Sequence, residues 1–309
     1  MALSKSQRFV IAELTRKAGK LDIKKYYQLV RGFTRAMHLP LLKLAYHPWD
    51  QTIRCGSHEV PVRVFSPERR AKGLLLFFHG GGWVVGDIDS YSDTCVLMTR
   101  MTGCVVVSVD YRLAPEHRFP AGLLDCYAAS QAILQQADTL GFTEQDITFI
   151  GDSAGGNLAA AVSLYIRDQG GILPSRQILL YPSTWNDHDA RTSPFESIRT
   201  NGQDKMLTAQ RVEDYIDLYK GSASDLQNPY FAPLTVSDFS KQPKTLLLTA
   251  EYDPLRDEGE EYGHQLAAAG NEVEIHRIPD ALHGFFSQYG TPPPVRKAYQ
   301  YIQAFLSGR

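Results

Sequence analysis

The chain has little of several things that would have fixed its class at once. It carries four cysteines in 309 residues, Cys55, Cys95, Cys104 and Cys126. They are too sparse for a disulfide scaffold and lack C-x-x-C spacing. Free thiols in a reducing, cytoplasmic setting are the expectation. No apolar run approaches the roughly 18 residues of a membrane span, so no membrane partner is expected. The N-terminal stretch interrupts its apolar positions with Arg8, Glu13, Arg16 and Lys17 and does not read as a secretory signal. Charge is nearly balanced, at −2 net with a pI near 6.5, which gives no electrostatic reason to expect nucleic acid. Internal repeats, low-complexity tracts, phosphate-loop glycines and metal-ligand spacings are also missing, so no metal is expected.

What is present is periodicity. Residues 1–48 read as helical, with apolar spacing at Phe9, Val10 and Leu14 and then at Tyr26, Tyr27, Leu29, Val30 and Phe33. From about residue 50 short β-rich runs alternate with helical segments. The expected strands are Thr52–Cys55, Glu59–Phe65, Gly73–His79, Val105–Asp110, Asp146–Ile150, Gln177–Tyr181, Thr245–Ala250 and Glu272–Ile278. Runs such as Leu74-Leu75-Leu76-Phe77-Phe78 are apolar at every position, as in strands covered on both faces of a mostly parallel sheet. Helices are expected with Pro120 at the first-turn position, from near Asp257 to Gly270-Asn271, and after Pro292-Pro293-Pro294. This alternation predicts a doubly wound α/β core. It breaks between Tyr181 and Lys244. There a polar stretch leads into an amphipathic run through Met206, Val212, Tyr215, Ile216 and Tyr219, which reads as a lid or as a peripheral helix pair.

The stretch Gly151-Asp152-Ser153-Ala154-Gly155-Gly156 follows an apolar strand and opens a helix. A serine at such a tight turn presents its hydroxyl as a nucleophile, beside the positive end of the helix. It needs a base, and the base needs a group to orient it. Asp253 and His283 fit, each just past the C-terminal end of a strand, in the chain order nucleophile, acid, histidine. Glu251 and Asp257 compete with Asp253, but Asp257 falls in a first helical turn. His264 falls mid-helix and His276 mid-strand, while His38, His47, His58, His117 and His188 precede the last strand. Acyl transfer also requires donors for an oxyanion. The run His79-Gly80-Gly81-Gly82-Trp83 supplies them through Gly81 and Gly82, with Ala154 from the elbow, and His79 reads as a structural residue holding that loop. The bulk of Trp83, Trp185 and Phe285 suggests a small substrate pocket.

Together these segments, with Asp110-Tyr111-Arg112-Leu113-Ala114-Pro115-Glu116 and Asn228-Pro229, resemble the hormone-sensitive-lipase-like family of alpha/beta hydrolases. Within it the chain is most similar to the bacterial carboxylesterase and acetyl esterase branch. The resemblance covers roughly residues 70 to 309. It implies an eight-stranded alpha/beta-hydrolase fold with a helical cap and no cofactor. The core would be residues 49–183 and 227–309, and the cap residues 1–48 and 184–226. It further implies a Ser153–Asp253–His283 triad, an oxyanion hole at Gly81, Gly82 and Ala154, and a small-molecule ester as substrate. A homodimer through the edge of the last strand would fit the family. Trp83 stands where the family often has phenylalanine. A small-amide hydrolase and a non-catalytic small-molecule receptor on the same fold stay as alternatives, although such receptors are expected to lose a triad member.

Overall fold

The computed structural model describes residues 21–37, 48–203, 206–288 and 290–308. Eight strands form one sheet: β1 Trp49–Cys55, β2 His58–Phe65, β3 Leu74–Phe78, β4 Val105–Val109, β5 Ile147–Asp152, β6 Arg176–Leu180, β7 Lys244–Tyr252 and β8 Val273–Leu282. Their order is β1-β2-β4-β3-β5-β6-β7-β8. β2 is antiparallel to both of its neighbours and every other pair is parallel. The eight expected strands are all there, and the alpha/beta-hydrolase architecture follows from them.

The unbroken apolar runs have a direct physical reason. Successive side chains of a strand point to opposite faces. Leu74, Leu76 and Phe78 therefore enter one core, with Val107, Phe149, Leu158 and Tyr262. Leu75 and Phe77 enter a second core, with Met98, Ile150, Ile302 and Phe305. The first core is closed by helices α3 (Ala121–Gln135), α4 (Ala154–Asp168) and α7 (Arg256–Ala268). The second is closed by α2 (Ser92–Thr102) and α8 (Pro293–Leu306).

Two strands outrun their sequence patterns. β7 and β8 pair from Thr245↔Val273 to Ala250↔Ile278, shift register, and pair again at Tyr252↔Leu282. Pro279 and Asp280 hide this continuation, since Asp280 sits at φ 57° and its N–H is held by Glu251 Oε2 at 2.8 Å. Both strands thus deliver the residues that follow them, Asp253 and His283, to one edge. The helix expected to start at Pro120 starts one residue later, with Pro120 in the capping position.

The segment between β6 and β7 contains α5 (Glu196–Asn201) and α6 (Ala209–Tyr219). Thr208 caps α6 by accepting the Arg211 N–H at 3.2 Å. Helix α1 (Ile23–Met37) packs on α6. Lys24 pairs with Asp217, and Arg211 Nη2 donates to the Leu21 carbonyl at 2.6 Å. Ile23 is fully buried, but Leu29, expected on the apolar face, is 64% exposed. Phe9, Val10 and Leu14 lie outside the described residues.

Candidate active site

The turn between β5 and α4 carries Ser153 at φ 55°, ψ −118°, a region L-residues seldom occupy. The conformation survives because the chain around it is packed to the backbone. A Cβ on Gly155 would overlap the carbonyl oxygen of Phe78, so only glycine lets α4 start this close to β3. The Ser153 N–H is held by the Leu180 carbonyl at 2.9 Å. From this fixed turn its hydroxyl points in one direction.

That direction is His283. Ser153 Oγ lies 2.8 Å from His283 Nε2, and His283 Nδ1 lies 2.7 Å from Asp253 Oδ2. A carboxylate only accepts, so Nδ1 carries the proton and Nε2 is left to accept from the serine. Asp253 is fully buried and its other oxygen accepts the Leu255 N–H at 2.9 Å. The edge of the His283 ring meets Tyr181 at 5.0 Å between centroids. The competing carboxylates are engaged elsewhere. Asp257 accepts from the Ser197 N–H and from Arg256, and Glu251 holds the Asp280 N–H.

Gly81, Gly82 and Ala154 line the same cavity of about 240 Å³ as Ser153 and His283. Ala154 opens α4, so its N–H has no acceptor within the helix. The glycine loop is fixed from below. His79 is buried; its Nδ1–H donates to the Gly80 carbonyl at 2.8 Å, and its ring stacks on Tyr111 at 4.4 Å. Burial holds the imidazole below its ordinary range and keeps it neutral. The remaining wall comes from the segment before β7, through Met206, Leu207, Val212 and Tyr215. A Cβ on Gly82 would fall inside the Tyr215 ring, so this glycine is what lets α6 sit down on the loop.

The three aromatic residues expected at the pocket divide. Trp83 reaches its wall, but the indole is buried and stacked on Tyr219 at 4.5 Å and 2°. Trp185 and Phe285 do not line the cavity, and the sequence expectation is corrected for both. Trp185 packs against Phe195, and its backbone N–H donates to Glu258 Oε1 at 3.1 Å. Phe285 is buried against Tyr181 in the second core.

Other residues of the site are announced weakly in the sequence or not at all. Asp152 accepts the Gly80 N–H at 2.8 Å and the Tyr91 hydroxyl at 3.1 Å, joining β5 to the glycine loop. Burial pushes its carboxyl up to about 6, with the two donors opposing. On α5, Ser197 Oγ donates to the Pro254 carbonyl at 2.7 Å and Asn201 Nδ2 to the Asp253 carbonyl at 3.4 Å, bracing the acid's loop. The one available signal was Asp152's place between strand and serine. For Ser197 and Asn201 there was none.

The profile of the alpha/beta hydrolase fold family matches residues 75–287. Arylesterase of Saccharolobus solfataricus is 36% identical over 259 residues, covering 83% of this chain and 82% of its own. Ethyl acetate hydrolase of Pseudomonas putida is 36% identical over 239 residues, covering 76% of this chain and 73% of its own. Among solved structures, a hyperthermophilic esterase from the archaeon Pyrobaculum calidifontis superposes with a TM-score of 0.85 at 34% identity, covering 100% of this chain and 99% of that one. With the serine elbow, the sheet order and relatives of this kind over most of its length, the chain belongs to the hormone-sensitive-lipase-like family of alpha/beta hydrolases and is a carboxylic ester hydrolase.

Proposed function

We propose that the protein hydrolyses short-chain acyl esters through an acyl-enzyme on Ser153, with His283 as general base and Asp253 as its orienting acid. The observation that carries this reading is the hydrogen-bonded chain Ser153–His283–Asp253 on the wall of a small cavity. Ser153 Oγ attacks the ester carbonyl as His283 Nε2 takes its proton, and Asp253 stabilises the imidazolium. The Gly81, Gly82 and Ala154 N–H groups receive the oxyanion, each donor worth about 3–4 kcal/mol in the transition state. His283 returns the proton to the departing alcohol, and water then repeats the sequence on the acyl-enzyme.

The cavity of about 240 Å³ falls below the roughly 300–1,000 Å³ usual for drug-sized ligands, which supports small acyl groups. Residues 1–48 and 184–226 act in this reading as a cap on a core of residues 49–183 and 227–309. Met206, Leu207, Val212 and Tyr215 in the cavity wall, and α1 packed on α6, support it. Among the described residues no helix is long and apolar enough to cross a membrane. The four cysteines are unpaired, which supports a cytoplasmic setting. β8 ends the sheet, and its outer edge suits pairing with a second copy.

The test is hydrolysis of p-nitrophenyl esters from acetate to dodecanoate, with Ser153→Ala in parallel. Acetate or butyrate should turn over fastest, and the variant should lose activity by several orders of magnitude. Folded protein with no turnover at any length would overturn the esterase mechanism. Turnover rising to the longest chain would overturn the short-chain pocket alone.

A further inference from the structure

We propose that Cys55, His58 and Asp125 form a binding site for a thiophilic divalent cation of the Zn²⁺ class, which staples the β1–β2 hairpin to helix α3. None of the three lines the cavity at Ser153. Their potential ligand atoms all lie within 4.8 Å of one another.

The arrangement follows from the backbone. Cys55-Gly56-Ser57-His58 is the tip of the hairpin, with Cys55 directly opposite His58 in the antiparallel register and Gly56 at φ 57° making the turn. Directly opposed residues of such a pair share one face of the sheet. Asp125 rises beneath them from α3, which packs on β1. The donors are a thiol, an imidazole and a carboxylate, the three groups protein zinc sites use. With bonds of about 2.0–2.3 Å, neighbouring ligand atoms of a tetrahedral site stand roughly 3.3–3.8 Å apart. The widest of these separations therefore has to close by about an ångström, while His58 Nε2 and Asp125 Oδ1, at 2.7 Å, have to open by roughly half of one.

The carboxylate is already oriented. Arg112 donates to Asp125 Oδ2 from its backbone N–H and from Nε, both at 2.9 Å, and to Oδ1 from Nη2 at 2.8 Å. Such outer partners fix the ligands of metal sites. His58 Nε2 lies 2.7 Å from Asp125 Oδ1, with a proton between them. The cation takes the place of that proton, which moves through solvent to Nδ1, so the imidazole stays neutral and Nε2 becomes a ligand. Cys55 coordinates as thiolate, so its proton is released to solvent. Water completes the shell. A staple suits this place, because β1 is the outermost strand and its first four residues are exposed.

The experiment titrates Co²⁺ into the full chain freed of metal. The expected result is a thiolate-to-cobalt charge-transfer band and tetrahedral d–d bands, saturating at one equivalent. Cys55→Ser should abolish the charge-transfer band, and His58→Gln should weaken binding at least tenfold. Zn²⁺ should raise the unfolding temperature of the parent protein and leave Cys55→Ser unmoved. Turnover of p-nitrophenyl acetate, a property of a different site, reports that each variant is folded. No band with the folded parent protein, or a band that persists in Cys55→Ser, overturns the site.

Discussion

Substitutions at Asp152 test how a single carboxylate serves the glycine loop. Asp152→Ala leaves the buried Gly80 N–H without its acceptor, a loss of about 1–3 kcal/mol. The expected effect is a roughly ten- to hundredfold fall in kcat with KM little changed, at about 1.4 kcal/mol per tenfold. Asp152→Asn keeps an oxygen toward Gly80 and should recover most of the rate; an Asn variant as slow as Ala would contradict the role. The pH dependence has a definite sign. The folded carboxyl is raised by burial to about 6, above its ordinary value, so its contribution to stability is complete below the unfolded pKa and lost as pH rises through about 6. The Asn variant carries no charge to bury. Thermal unfolding at pH 5 and pH 8 should show it gaining on the parent at the higher pH.

At the scale of elements, the segment between β6 and β7 is fastened to the core by a buried ion pair. His188 Nε2 meets Glu258 Oε2 of α7 at 2.6 Å, and both side chains are wholly buried. The other oxygen of Glu258 accepts the Thr184 and Trp185 N–H groups. Burial opposes charge on the imidazole, but the facing carboxylate outweighs it and raises His188 above the ordinary histidine range. The pair therefore stabilises fully below the unfolded pKa, and its contribution is lost as pH rises through the folded one. His188→Gln strands the carboxylate and should cost about 3–5 kcal/mol. The deficit, read by denaturant unfolding, should shrink as pH is raised; one that grew would refute the charged pair. Gly82→Ala tests a further contact of the segment. Its Cβ would displace the Tyr215 ring at a φ of 61°, so KM for p-nitrophenyl butyrate should rise while folding persists. An unchanged KM would mean that α6 does not shape the pocket.

For the molecule as a whole, stability rests on two cores separated by one sheet. Phe149 and Ile150 are adjacent and fully buried, yet they face different cores. Phe149→Ala should cost about 3–5 kcal/mol and Ile150→Val about 0.5–1.5. The double variant should be additive within a few tenths of a kcal/mol if the cores are independent. Urea unfolding checks both, and strong coupling would mean that the sheet transmits strain from one core to the other.

The strands and their mostly parallel arrangement are legible in the chain alone, because these depend on local rules. Apolar runs such as Leu74-Leu75-Leu76-Phe77-Phe78 can bury two faces only inside a sheet, and the glycines around Ser153 report a turn no other residue permits. Which side chains converge from distant segments was not legible. Trp185 and Phe285 look like pocket residues in the chain and are packed elsewhere. Ser197 and Asn201 look ordinary and brace the loop of Asp253. Cys55, His58 and Asp125 come together only because an antiparallel hairpin lies over α3. The tertiary structure decided these matters, since a side chain's hydrogen-bond partners are set by the register and packing of elements far apart in sequence.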